Sequence, residues 1–261
     1  MSWFHVEHMD ATDFLGTLKD EVVDLGVMDM AYESLERHRS KGTTTRLKKS
    51  KASSNEWFKV FPNVRVPGFF SELYRVMKPR THVYLLCDDP TDEVYRTYAR
   101  DAGFWVWKSL TWVKTKVDIE DIADLEVADV RSGMGYHWRA SKENALFIEK
   151  RDRPQVCHAD WTVRLDPKGR GRQLNNKGWA DVLCYPPIRN GYPTEKPVEL
   201  LEQLIINSSD PDDIVIDPFM GSGSTGEAAL KQGRGFLGGD IGLEAFNVTR
   251  TRLLGAGGLD L

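Results

Sequence analysis

The chain has 261 residues, 41% hydrophobic and 28% charged, with a formal net charge of -4. That suits one large α/β domain, or one domain carrying an insert, with enough apolar content to bury a core. No apolar run is long enough to span a membrane, and the first ten residues do not resemble a signal peptide. The three cysteines, Cys87, Cys157 and Cys184, and the six histidines lack metal-ligand spacing, so the expectation is a cytoplasmic protein with reduced thiols and no metal.

In chain order, residues 3–8 read as a strand, and Asp10-Ala11-Thr12-Asp13 starts a helix ahead of Phe14, Leu15 and Leu18. Val22–Met28 is an apolar run ending at Asp29, as in a buried parallel strand. Residues 37–55, rich in Ser, Thr, Gly and Lys, read as a loop. Phe69–Met77 follows as a helix stopped by Lys78-Pro79, then a strand at His82–Cys87, a helix at Thr91–Ala102 and a strand at Phe104–Val113. Phe104-Trp105-Val106-Trp107 alternates at strand spacing and reads as core.

Between about 115 and 190 the pattern is irregular, with a turn at Gly133–Gly135, a strand at Ala145–Glu149, a polar run at Asp166–Gly178 and a turn at Tyr185-Pro186-Pro187. Alternation resumes with a helix at Pro197–Asn207, a strand at Ile214–Asp217, a helix at Thr225–Gln232, a strand at Gly235–Asp240 and a helix at Leu243–Leu254. Strand-helix alternation at both ends predicts an α/β fold with a doubly wound, mostly parallel sheet. No internal repeat is visible.

Charge is segregated. Arg37, Arg39, Lys41, Arg46, Lys48, Lys49 and Lys51 run without an acid, whereas Asp118, Glu120, Asp121, Asp124, Glu126 and Asp129 form an acidic block. Local potential therefore matters more than the total.

Gly221-x-Gly223-x-x-Gly226 lies between a strand and a helix, and Asp240 closes the next strand. Glycines let a backbone approach a nucleoside, and the acid can accept hydrogen bonds from ribose hydroxyls. Glu227 and Ala228 stand where a phosphate loop needs Lys and Ser or Thr. The pattern alone also fits a nicotinamide dinucleotide, or a turn without a ligand. Two features argue against the dinucleotide. Asp217-Pro218-Phe219 intervenes before the glycines, and only 35 residues follow Gly226, too few for a second nucleotide-binding half.

These blocks, with Asp29-Met30-Ala31-Tyr32, resemble the β-group of DNA amino-methyltransferases, particularly small stand-alone adenine enzymes. In that group the catalytic corner comes first, the recognition region next and the cofactor loop last. Tyr192-Pro193-Thr194-Glu195-Lys196-Pro197-Val198 is similar to an element beside the methionine moiety. Ile216–Thr225 matches the cofactor loop, and Phe236–Ile241 the strand whose acid holds the ribose. The resemblance implies a Rossmann-like methyltransferase in permuted order: a catalytic half at 1–114, a recognition insert at 115–190 and a cofactor-binding half at 191–261. It implies S-adenosylmethionine as cofactor, held by Asp10, Ala11, Thr194, Lys196, Asp217, Pro218, Phe219, Gly221, Ser222, Gly223, Ser224, Thr225, Asp240 and Ile241.

Exocyclic base amines are poor nucleophiles because their lone pair is delocalised into the ring. Hydrogen bonds accepted from both N–H groups draw the nitrogen toward tetrahedral geometry, and an aromatic face holds the flipped base. The resemblance gives these tasks to Asp29, the carbonyl of Met30 and Tyr32, with Met30-Ala31 replacing the family's two prolines. Proline fixes φ and has no N–H, so this corner loses rigidity and gains two donors. Asp29 points to adenine N6; cytosine N4, or a DNA-binding homologue with weakened catalysis, remain the alternatives.

DNA is the expected partner, with Arg37, Arg39, Lys41, Arg46, Lys48 and Lys49 contacting phosphates. A second basic group, Arg164, Lys168, Arg170 and Arg172, reads equally as DNA contact or solvated loop. Related enzymes are often dimers, so a homodimer is also an expectation.

Overall fold

Val23–Met28, buried along its whole length, is the strand around which the others assemble. The computed structural model describes residues 2–30, 61–116, 126, 129–130, 141–152, 171–176, 178–188, 192 and 194–261. In chain order the described elements are β1 (Trp3–His8), α1 (Ala11–Thr17), β2 (Val23–Met28), α2 (Val66–Val76), β3 (Met77–Cys87), α3 (Asp89–Asp101), β4 (Trp105–Lys114) and β5 (Lys142–Lys150). They continue with β6 (Val182–Tyr185), α4 (Val198–Ser208), β7 (Ile214–Asp217), α5 (Ser224–Lys231), β8 (Gly235–Asp240), α6 (Leu243–Gly255) and β9 (Leu259–Asp260).

The strands form one sheet in the order β6-β4-β5-β3-β2-β7-β8-β1-β9. Every pairing is parallel except those of β5, which runs against both β3 and β4. The fold is therefore α/β with a mostly parallel, doubly wound sheet. On one face α1, α2 and α3 bring Phe14, Phe69, Phe70, Leu73 and Tyr95 into one buried cluster with Val23 and Met28. On the other, α4, α5 and α6 pack Leu200, Leu204, Leu230 and Leu253 against Leu25 and Val27. A strand covered on both faces reads as a continuous apolar run, as β2 does. Its one charged residue, Asp24, accepts two hydrogen bonds of 2.8 Å from Lys78 of β3 and one of 3.0 Å from the Ile214 amide of β7.

Several expectations need correction. Lys78-Pro79 does not stop a helix; α2 ends at Val76, and both residues already lie in β3. The pairing of β2 with β3 jumps there from Val23–Met77 to Leu25–His82, and Arg80 takes a φ of 63°. A proline without an N–H suits such an irregular start of a strand. Val182–Tyr185 is an unanticipated strand, parallel to β4, and Pro186-Pro187 follows its last residue. The tryptophans of Phe104–Trp107 are not core. Phe104 is fully buried, but Trp107 is 44% exposed and the Arg151 guanidinium lies 3.9 Å from the Trp105 ring. β6 pairs only with Thr111–Lys114, so the first half of β4 lacks that neighbour. The stretch 115–190 contributes β5 and β6 to the main sheet; the turn at Gly133–Gly135 lies outside the described residues.

The close approach of α5 to the sheet depends on Gly226. A Cβ there would lie 2.8 Å from both Leu253 Cδ2 and Phe236 Cδ1. Gly226→Val should therefore cost about 1–3 kcal/mol through overpacking. It should lower the urea midpoint, and an unchanged midpoint would refute this packing argument.

Candidate active site

Ligand sites in open α/β sheets form at the carboxyl ends of the parallel strands. Here Asp29 follows β2, Asp217 ends β7, Asp240 ends β8 and Lys114 ends β4. Because β5 is reversed, its second residue, Glu143, reaches the same edge. Together they wall a cavity of about 570 Å³.

The chain after β7 makes the tight turn that shapes one wall. Gly221 and Gly223 have φ of 49° and 81°, and a Cβ on Gly223 would lie 2.9 Å from Thr249 Cγ2. Glycine is required there on both counts. The Gly221 amide donates to Asp240 Oδ2 at 3.0 Å, and the Thr249 hydroxyl donates to the Gly221 carbonyl at 3.0 Å. Asp217 Oδ1 accepts from the Phe219 amide at 3.0 Å. Arg252 of α6 bolts this turn to the neighbouring 192–196 segment. It donates to Glu195 Oε1 at 2.7 Å, to Glu227 and, at 3.3 Å, to the Ser222 carbonyl. Thr194 is held at φ 60°, a conformation costing a non-glycine residue about 1–3 kcal/mol, and its carbonyl accepts from Lys196 at 3.2 Å.

Of the anticipated cofactor residues, Asp10, Ala11, Thr194, Lys196, Asp217, Pro218, Phe219, Gly221, Ser222, Ser224, Thr225, Asp240 and Ile241 all line this one cavity, with Asp29 and Met30. Gly223 instead stands at the amino end of α5. Asp10 caps α1 through the Thr12 amide at 3.0 Å, and both its oxygens accept from Arg65 at 2.7 Å. Asp240 is tied by both oxygens to backbone amides, those of Gly221 and Gly242. Lys196 contacts the Asp29 carboxylate, and its ammonium also lies 3.6 Å from Glu143. Glu143 in turn accepts from Lys114 at 2.5 Å.

Ala31, Tyr32 and the basic residues Arg37, Arg39, Lys41, Arg46, Lys48 and Lys49 lie outside the described residues, as do Arg164, Lys168 and Arg170. Arg172 is described and is ion-paired with Asp210 at 2.9 Å. Sequence reasoning missed Arg65, Trp112, Lys114 and Glu143 in the cavity wall. The only cue was charge at the ends of two strands.

The cavity is strongly acidic. Burial pushes the Asp217 carboxyl up to about 7, opposed by hydrogen bonds from Thr225 and the Phe219 amide and reinforced by Asp29 and Asp240. Burial likewise raises Asp240 and Asp29. Desolvation lowers Lys196, yet the flanking Asp29 and Glu143 carboxylates outweigh it and hold the ammonium above its usual range. Three acids around a glycine turn, only one of them paired with a lysine, form a site fit for a nucleoside that carries positive charge.

A doubly wound sheet with a glycine turn and acids at its carboxyl edge defines a nucleoside-binding enzyme fold. A family model described as DNA methylase matches residues 23–251, and the chain belongs to that family. Its reaction is S-adenosylmethionine-dependent methylation of amino groups on DNA bases. The chain is 25% identical over 254 residues to the Type II methyltransferase M.HpaI of Haemophilus parainfluenzae, covering 94% of this chain and 72% of that protein. It is also 25% identical to the Type II methyltransferase M2.DpnII of Streptococcus pneumoniae, at 94% and 88% coverage. Among solved structures, a DNA modification methylase of Thermus thermophilus in complex with S-adenosyl-L-methionine has a TM-score of 0.62 at 18% identity, covering 100% of this chain and 98% of that one. The cytosine-N4-specific PvuII DNA methyltransferase has a TM-score of 0.62 at 13% identity, covering 100% and 95%.

The acidity has a measurable consequence for stability. With its folded value raised from 3.8 to about 7, Asp217 holds its proton more tightly in the folded protein than in the unfolded chain. Its stabilising contribution is complete below the unfolded value and is lost as pH rises through about 7. Against an Asp217→Asn variant, wild type should lose unfolding free energy between about pH 4 and pH 7 in urea titrations, the interval between the unfolded and folded values. A constant gap between the two proteins would contradict the assignment.

Proposed function

We propose that this protein transfers a methyl group to the exocyclic N6 of an adenine flipped out of DNA. The observation that carries the reading is the placement of Asp29, whose side chain is 30% exposed, in the wall of the cavity that contains the glycine turn. Among the described residues, only its Oδ2 has a hydrogen-bond partner, so Oδ1 is available as an acceptor.

In this reading Oδ1 of Asp29 accepts one N–H of the target amine and the Met30 carbonyl accepts the other. S-adenosylmethionine, when bound, supplies a methyl group on a positively charged sulfonium. As the N–C bond forms and the methyl–sulfur bond breaks, leaving a neutral thioether, the positive charge passes to the amine; Asp29 stabilises that charge and receives the proton the nitrogen then loses. Asp240 engages the ribose hydroxyls with its remaining lone pairs, and Asp217 favours a cationic ligand. Tyr32 stacks on the flipped base, and the basic run from Arg37 to Lys49 contacts phosphates. The segment 115–190 supplies target recognition. An acidic first residue in the catalytic corner supports adenine, in line with the enzymes the sequence resembles.

Nucleoside mass spectrometry on unmethylated DNA incubated with protein and S-adenosylmethionine should reveal N6-methyladenine. N4-methylcytosine instead would overturn the choice of base while keeping the chemistry. Asp29→Ala should cut transfer by at least about 100-fold, the scale of losing one stabilising group at the reacting centre, while cofactor affinity changes little. Unchanged turnover would remove Asp29 from the mechanism.

A further inference from the structure

Lys196 was anticipated as a cofactor contact, but its surroundings argue for another task. Its side chain is only 10% exposed. An ammonium has three protons to place. One goes to Asp29 Oδ2 and one to the Thr194 carbonyl at 3.2 Å, while Glu143 Oε2 faces the third at 3.6 Å. Protein acceptors thus engage two of the ammonium protons and a carboxylate lies close to the third. Glu143 is itself fixed, its other oxygen accepting from Lys114 at 2.5 Å, and the Lys114 ammonium lies 5.2 Å from the centre of the Trp112 ring. Charge therefore alternates along a chain of four groups, Asp29, Lys196, Glu143 and Lys114, drawn from four separate parts of the fold.

We propose that Lys196 is a positioning residue for methyl transfer, anchoring one oxygen of Asp29 so that the other faces the target amine, with Glu143 and Lys114 holding Lys196 in place. This rests on the assignment of Asp29 as the group that touches the substrate. The arrangement separates two demands on one carboxylate. Oδ2 is bound and fixes the plane of the group, while Oδ1 stays unbonded among the described residues until a base arrives. It also opposes protonation of the group. Asp29 is desolvated and has Glu143 and Asp217 nearby, all of which disfavour its charge; Lys196 and the more distant Lys114 oppose them. Without the Lys196 ammonium the Asp29 carboxyl would be raised further, and a protonated Asp29 cannot accept from an amine on that oxygen.

The role is read out without catalysis by following the Asp29 carboxyl by carbon-13 NMR in the ligand-free protein, the signal assigned by its absence in Asp29→Asn. Lys196→Met should raise the Asp29 midpoint by at least about one pH unit, equivalent to a tenfold change in its proton affinity. Glu143→Gln should lower it, since removing the acid leaves Lys196 with Asp29 as its sole carboxylate partner. Unmoved midpoints in both variants would overturn the proposal. In single-turnover methylation, Lys196→Met should slow transfer by about 100-fold and move the acidic limb of the rate profile upward. S-adenosylmethionine affinity, measured by calorimetry, should change less than about threefold. Affinity lost in proportion to rate, with an unshifted profile, would make Lys196 a cofactor ligand and refute the positioning role. If Lys196→Met fails to fold, Lys196→Gln and Glu143→Gln carry the same titration. Wild-type protein that transfers no methyl to DNA would refute the proposed function, while the NMR titration would still decide the role of Lys196.

Discussion

Acids accumulate at the edge of this fold, where burial pushes their carboxyls up and like charges crowd one another. Parallel strands deliver their last residues to one edge, so Asp29, Asp217 and Asp240 share a single cavity. Two carboxylates a few ångströms apart in a desolvated site cannot both stay ionised without a counter-charge. The chain answers differently at each acid. Asp240 is held by two backbone amides, Asp217 by an amide and the Thr225 hydroxyl, and Asp29 by a buried lysine. Only the lysine brings a full opposite charge, and it sits beside Asp29, the acid to which the proposed mechanism gives the substrate contact.

The rest of the structure serves that arrangement. Asp24 ties β2 to β3 and β7 at the opposite end of the strand, fixing where Asp29 emerges. Arg252 links α6 to both segments that carry cavity residues, so the 192–196 turn and the glycine turn are positioned together. The strained Thr194 conformation directs a carbonyl to the lysine. Strain of this kind persists only where its surroundings over-determine it, and here the Glu195–Arg252 pair and the hydrogen bonds between residues 192 and 195 do so.

Much of this was legible in the sequence because it is local. β7 and β8 have the boundaries their apolar runs predict, and Asp29, Asp217 and Asp240 announce themselves as acids ending buried strands. Lys196 lines the cavity together with these acids, yet its partner was not foreseeable, since Asp29 lies 167 residues away. Glu143 and Lys114 were invisible for a related reason. They meet only through the pairing of β4 with β5, and nothing in a sequence states that β5 will run antiparallel. The tryptophans of β4 were misread because alternation marks a strand without revealing which half has a second neighbour. Tyr185-Pro186-Pro187 looked like a turn because the prolines drew attention from the four-residue strand that Tyr185 closes.

One connectivity feature carries a consequence for how such a protein can diversify. Residues 31–60 leave the described chain at Met30 and rejoin it at Phe61, and both of these line the cavity. The span between β4 and β5 departs after Lys114, a member of the charge chain, and returns at the register pair Val113–Lys142, beside Glu143. Each excursion is thus clamped at both feet by the walls of the reaction chamber. Doubling the length of a flexible connection between fixed ends costs only about 0.6 kcal/mol in closure entropy. A connection between such fixed ends can change length at little thermodynamic expense while its anchor points stay put. The described scaffold thus keeps its cavity walls and anchor points independent of what the connections between them contain.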